Sequence, residues 1–235
     1  MTGNTLPDNP VLDNIFWHAL SGPHARFSLG TATARRFAPG FSPILGFADA
    51  LRPDFAAIAP FCAAGEHFYI AQWAGATPDG WQVDFESTMF KMVWDGRPPP
   101  EDHAADARPL QPEHAQQALT LALLTNPGPF GLRTIELGEY FGLFEGERLV
   151  AMAGERMAAG TMREISGVCT HPDFQGRGHA RRLVDKLVRR QVARGETPFL
   201  HVMSTNAAGH GLYSRMGFAD YREAVVRVVS PVATP

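Results

Sequence analysis

Six consecutive residues, Gln175-Gly176-Arg177-Gly178-His179-Ala180, sit where an apolar stretch, Ile165 to Thr170, passes through Pro172 into a long helical pattern. Small residues at Gly176, Gly178 and Ala180 let backbone N–H groups come close to a ligand, and a helix starting there turns the positive end of its dipole toward a bound anion. The chemistry this spacing suits is the holding of phosphate. Downstream, Ala180, Leu183, Val184, Leu187, Val188 and Val192 recur at three- and four-residue spacing, which marks one buried helix face. Arg177, Arg181, Arg182, Lys186, Arg189, Arg190 and Arg194 crowd the remainder, opposed only by Asp185, in a chain of net charge -3. A local cationic excess of this kind suits a polyphosphate better than a neutral ligand.

Two other glycine-containing phosphate loops are excluded by single letters. A dinucleotide-binding fingerprint needs a third small residue where Arg181 stands, and the loop of nucleotide hydrolases needs a Gly-Lys-Ser/Thr ending that is absent. With Val168-Cys169-Thr170-His171-Pro172 ahead of it, the segment resembles the Q/R-x-x-G-x-G/A motif of the GCN5-related N-acetyltransferases (GNAT), in the FR47-like form. The resemblance covers roughly residues 106 to 230. It implies acetyl-CoA as cosubstrate, its pyrophosphate held by the loop Gln175, Gly176, Arg177, Gly178, His179, Ala180 and Arg181. Backbone groups of Val168, Cys169 and Thr170 would hold the pantetheine arm, inserted between two splayed strands. Such insertion satisfies backbone groups at an edge left unpaired.

Acetyl transfer to an amine requires a neutral amine, a polarised thioester carbonyl and a proton for the departing thiolate. By the resemblance, Glu164 stands where histone-acetylating members carry a general-base glutamate, which makes it the candidate base; a glutamate at a strand start is also commonly a solvated edge residue. The run from Asn206 to Phe218, NAAGHGLYSRMGF, is similar to the family's N-x-x-A-x-x-L-Y-x-x-x-G-F pattern. Tyr213 is thereby the candidate general acid, and Asn206 would bond pantetheine or cap the helix. Gly209 replaces the usual alanine and, with Gly211, loosens this helix by about 1 kcal/mol per substitution. Cys169 reads as a small buried hydrophobe more readily than as an acetyl-carrying thiol. His171, His179, His201 and His210 lie around this region without metal-site spacing, so no metal is expected.

These groups need a sheet to hold them. Residues 110–235 read as helix (Pro112 to Thr125), strands (Tyr140 to Phe144, Leu149 to Met157, Glu164 to Thr170), the motif helix, a strand (Phe199 to Met203), a helix (Asn206 to Met216) and a last strand (Tyr221 to Val229). Ala115, Ala118, Leu119, Ala122 and Leu123 are the expected inward positions of the first helix. The fold class is α/β with a mixed sheet, the GNAT acyl-CoA N-acyltransferase fold by resemblance. Residues 97–109, RPPPEDHAADARP, read as an extended spacer that cannot build a core. Residues 1–96 then form a smaller α/β companion domain, which in the family resembled can be a degenerate relative of the transferase. A first helix is expected over Asn9 to Ala19, and alternation at Trp81, Val83 and Phe85 and again at Phe90, Met92 and Trp94 marks strands. The four tryptophans read as core rather than pocket wall.

At 235 residues and 45% hydrophobic content, with no apolar run near 18 residues, no membrane span is expected. The N-terminus lacks a basic segment followed by an apolar one, and two distant cysteines suit a reduced, cytoplasmic protein. Nucleic acid is a poor partner, since the basic residues cluster on one helix without an aromatic platform. Two functions remain: an acetyl-CoA-dependent N-acetyltransferase acting on a primary amine (small molecule, amino acid or protein lysine), or a non-catalytic acyl-CoA-binding module. Glu164 and Tyr213 favour the enzyme. The acceptor stays open, as does the assembly, a homodimer included.

Overall fold

The computed structural model describes residues 7–232; the ends of the two expected domains, 1–6 and 233–235, lie outside them. The first half contains α1 (Pro10–Asp13), α2 (Ile15–Ser21), β1 (Ser28–Gly30), β2 (Ala34–Phe37), β3 (Leu45–Phe47), α3 (Phe55–Ile58), β4 (Phe68–Ala71) and β5 (Trp81–Trp94). The second contains β6 (Arg108–Pro109), α4 (Ala115–Thr125), β7 (Tyr140–Glu145), β8 (Arg148–Ala159), β9 (Met162–Thr170), α5 (His179–Ala193), β10 (Thr197–Met203), α6 (Ala207–Met216) and β11 (Phe218–Pro231). Strands β1, β2 and β3 make a small sheet, and the other eight form one sheet in the order β4-β11-β5-β10-β9-β8-β7-β6. None of the described helices is long and apolar enough to cross a membrane.

Alternation along the strands sends side chains to two cores. Leu183, Val184, Leu187 and Val188 of α5 pack with Phe141, Val150, Ile165, Leu200 and Val202 on one face. On the other, α2 packs over Met157, Met162 and Phe199, and α4 over Tyr140, Met152 and Cys169. The helix expected over Asn9 to Ala19 is broken at Asn14, whose side-chain amide donates to Phe47 O and Ala48 O at 2.8 and 3.3 Å and leaves helical geometry to do so. On α4 the inward set is Ala118, Leu121 and Ala122, whereas Leu123 is 73% exposed. Leucine alone could not distinguish the two faces of that helix.

The boundary expected at 97–109 does not separate two sheets. Strand β5 fills the slot between β10 and β11, paired antiparallel to β11 from Trp94↔Phe218 to Trp81↔Pro231 and to β10 from Met89↔Met203 to Val93↔Phe199. The two alternating runs are one strand, because Val83 and Phe85 pair with adjacent residues Val229 and Val228 and Asp84 bulges between them. An interior position in the sheet, with partners on both edges, makes β5 integral to the fold that holds the motif.

The spacer is likewise a packed strap. Ala104 and Ala107 are buried in the core under α5. Lys186 Nζ lies 2.5 Å from Asp102 Oδ2 and donates to Ala104 O, Arg182 bonds His103 O and Asp106, and Arg189 bonds Pro99 O. Its acidic side chains and carbonyls answer the α5 cations. Near the far end of the helix Arg190 pairs with Glu139, and Arg194 with Glu139, Glu155 and Glu196. The cationic face expected to await a polyphosphate is therefore largely neutralised within the protein.

Candidate functional site

Strands β9 and β10 are parallel partners over three pairs, Met162↔Thr197, Arg163↔Pro198 and Glu164↔Phe199, and no further. Beyond them β9 bulges: Ser166 pairs with Gly154 and Cys169 with Met152, so Gly167 and Val168 face one residue of β8. Gly167 takes φ +62, and a Cβ there would meet the Tyr140 and Phe130 rings, so glycine is needed for both reasons. The two strands open into a V. A cavity of about 340 Å³ occupies it, lined on one side by Ile165, Ser166, Gly167 and Val168 and on the other by His201, Val202 and Met203.

Past the end of β9, His171 caps a short turn by accepting from Asp173 N, and Gln175 Nε2 donates back to Thr170 O at 3.3 Å. Gly176 and Gly178 hold φ +75 and +76, and a Cβ on either would project into open space. Gly178 is the N-cap of α5, and no side chain caps the helix. The first-turn N–H groups of His179, Ala180 and Arg181 thus face outward as donors for an anion. Arg177 stacks over Phe174 at 4.9 Å and bonds Asp173 O, and Arg181 is mostly exposed with Asp185 Oδ2 at 3.9 Å. Of the seven cations on this stretch, these two stand beside the loop. His179 Nδ1 is buried without a partner, and burial together with Arg182 and Arg177 lowers its pKa.

Tyr213 and Asn206 both line the cavity from the α6 side. Asn206 is the N-cap of α6, its side chain accepting from Gly209 N at 2.9 Å. Tyr213 packs edge-to-face on Phe218 at 5.9 Å, and burial pushes its hydroxyl up to about 12, so it keeps its proton at neutral pH. Val168 lines the V, whereas the Cys169 thiol points into the α4 core and burial raises it to about 12. A thiol held that firmly is no acetyl acceptor. Thr170 Oγ1 is buried without a partner beside it.

Glu164 departs from its expected place. It is 0% exposed and absent from the cavity wall. Arg156 Nε and Nη2 bond its two oxygens at 3.0 and 2.6 Å, and His201 Nδ1 lies 2.8 Å from Oε1. Burial alone would raise its pKa, but the Arg156 charge and the His201 hydrogen bond outweigh it and hold the carboxyl at about 2. A carboxylate so paired and outside the cavity lining is a poor proton acceptor. Instead Arg156 and His201 stand between it and the cavity. His201 was expected near this region and lines the cavity; Arg156 was missed, although an arginine in the otherwise small and apolar run of β8 was a signal of a buried polar network.

The far wall draws on the first half of the chain and on the loop Asn126, Pro127, Gly128 and Pro129. Phe16, Ile44, Tyr69, Phe85 and Met89 of the first half, with Val226 of β11, close the cavity opposite the motif.

A splayed sheet with an uncapped helix start beside the V is the arrangement that the resemblance in the sequence implied. The family model described as FR47-like protein matches residues 140–228. A crystal structure of a protein assigned as a GNAT-family acetyltransferase, from Novosphingobium aromaticivorans DSM 12444, is 32% identical with a TM-score of 0.88, over 96% of this chain and 100% of that one. The chain belongs to the GNAT family. Two further members share the fold at 13% identity: one from Kribbella flavida (TM-score 0.61, 92% of this chain and 94% of that one) and one from Streptococcus suis 89/1591 (0.59, 93% and 92%). No curated protein matches the chain. The likeness to the Novosphingobium protein runs through the first half as well, in keeping with the interior position of β5.

Proposed function

We propose that this protein is an acetyl-CoA-dependent N-acetyltransferase that passes the acetyl group directly to a primary amine. The observation that carries the reading is the V between β9 and β10, open beside an uncapped helix start and faced by a protonated tyrosine. The N–H groups at Gly178, His179, Ala180 and Arg181, with Arg177 and the flanking Gln175 and Gly176, would hold the pyrophosphate. The unpaired edge of Val168, Cys169 and Thr170 would take the pantetheine as an added strand. Asn206 serves here by fixing the start of α6, and so the position of Tyr213. The amine nitrogen attacks the thioester carbonyl, the C–S bond breaks, and Tyr213 delivers its proton to the leaving sulfur.

The test is thiol release from acetyl-CoA across a panel of amines, with Tyr213→Phe beside the parent. The variant should lose roughly 100-fold in kcat while binding CoA with unchanged Kd, in keeping with the loss of a general acid. A Tyr213→Phe protein as fast as the parent on a responsive amine would remove the tyrosine from the mechanism. CoA binding with no thiol release from any amine would favour the non-catalytic acyl-CoA module instead.

A further inference from the structure

The proposed reaction leaves the amine's proton without an acceptor, because Glu164 does not reach the cavity. His201 does. Glu164, ionised by its Arg156 partner, can only accept, so the His201 proton lies on Nδ1 and Nε2 is left with a bare lone pair. That nitrogen is closed off from solvent and has no hydrogen-bond partner among the described residues, and the side chain, 7% exposed, is part of the cavity lining. The ring cannot easily turn away, since Phe16 and Phe199 meet it edge-on at 5.7 and 5.6 Å. A buried acceptor without a donor is unfavourable, and a ligand N–H would satisfy it.

The wall opposite the motif says what kind of ligand. Phe16, Ile44, Tyr69, Phe85, Met89 and Val226 are apolar or aromatic. Among the described residues lining the cavity there is no carboxylate to hold a second ammonium, and the one guanidinium, Arg156, is already paired with Glu164. Neither a polyamine nor an amino acid finds its second charge matched there.

Resting on the acetyltransferase reading, we infer that His201, oriented by Glu164, is the base that takes a proton from a single primary amine carried on an apolar or aromatic body. The nitrogen bonds the acetyl carbon as the C–S bond breaks; the amine's proton passes to His201 Nε2 and the Tyr213 proton to sulfur. Solvent then takes the proton from the imidazolium and returns one to the phenolate, so that both side chains are restored. Glu164 is a positioning residue that fixes the tautomer and steadies the imidazolium.

The charged groups facing His201 are Glu164 on β9, which favours its protonation, and Lys91 on β5 and Arg156 on β8, which oppose it; α2 contributes the Phe16 ring. Burial comes first and sets the net direction downward from 6.5, so the imidazole is neutral and ready at pH 7. Activity should hold through that ordinary value and fall only at lower pH, where the base is finally protonated.

The experiment uses full-length protein, acetyl-CoA and three probes: 2-phenylethylamine, spermidine and glycine. The aromatic amine should show kcat/KM at least tenfold above the other two. His201→Gln should lose about 100-fold in kcat and the acidic limb of the pH profile, with little change in KM for acetyl-CoA. Phe85→Glu, at a position 50% exposed and so tolerant of charge, should move preference toward spermidine. Faster turnover of spermidine or glycine than of 2-phenylethylamine would overturn the substrate class while leaving the acetyltransferase standing. A His201→Gln protein with parental kcat and pH profile would overturn the base. Absence of thiol release with all three probes, from protein that binds acetyl-CoA, would overturn the inference and the reading beneath it.

Discussion

The two walls of the cavity differ in how the chain makes them. The proposed cofactor wall comes from one stretch, β9 through the start of α5, joined by α6; the proposed acceptor wall is gathered from α2, the residue before β3, β4, β5, the loop after α4 and β11. On the proposed reading the first would bind through backbone amides whose placement is local, so glycines and a helix start encode it in adjacent letters. The second binds through side chains brought together by sheet order, and no window of sequence contains it.

The largest effect should come where the two walls meet, at the buried network behind the base. Arg156→Met leaves Glu164 ionised, buried and without its cation, a change that costs about 3–5 kcal/mol. Chemical denaturation should show it as a lowered midpoint with unchanged slope. The same network has a pH signature. The Glu164 carboxyl is depressed to about 2 from an ordinary 4.5, so its contribution to stability is full above 4.5 and is lost as pH falls through 2. In the parent, acid titration followed by circular dichroism should reveal this loss; a stability flat across that window would mean the pair is far weaker than its geometry.

That network also marks where sequence reading ran out. The glycine loop, the helix behind it, Tyr213 and the parallel strands around them were legible because each rests on periodicity or on a short spacing rule. Glu164 was picked out by position but its burial was not, since a letter does not say whether a carboxylate meets solvent, substrate or an arginine eight residues back across a hairpin. Nor could the letters show that β5 slots between β10 and β11: pairing partners more than a hundred residues apart leave no mark on either strand beyond alternation. The strap was misread for a related reason. Three prolines do mean extended chain, but extension says nothing about what the chain lies against.

A sharper separation of the walls comes from Gly178→Val. The position holds φ +76, and a Cβ would meet nothing of the protein, so any lost packing is small and the burden falls on backbone strain of about 1–2 kcal/mol and on the space before the α5 amides. CoA affinity should fall at least tenfold by titration calorimetry, while relative rates among amines at saturating acetyl-CoA stay as in the parent. A change in amine preference would mean that the two walls are coupled and that the division drawn here fails.

The smallest effect should arise at the strap, which touches the cofactor wall from behind. Asp102 Oδ2 and Lys186 Nζ make a close pair, but the aspartate side chain is 37% exposed and the ammonium keeps its bond to Ala104 O. Removing a partly solvated partner of this kind typically costs less than about 1 kcal/mol, and salt screens part of what remains. Asp102→Asn should therefore lower the denaturation midpoint slightly at low ionic strength and almost not at all in high salt, with CoA affinity unchanged, because Lys186 lies two turns along α5 from the donors at Gly178. If affinity for CoA instead rises in the variant, the strap has been holding cationic charge away from the phosphate loop, and the neutralised face of α5 belongs to the binding wall after all.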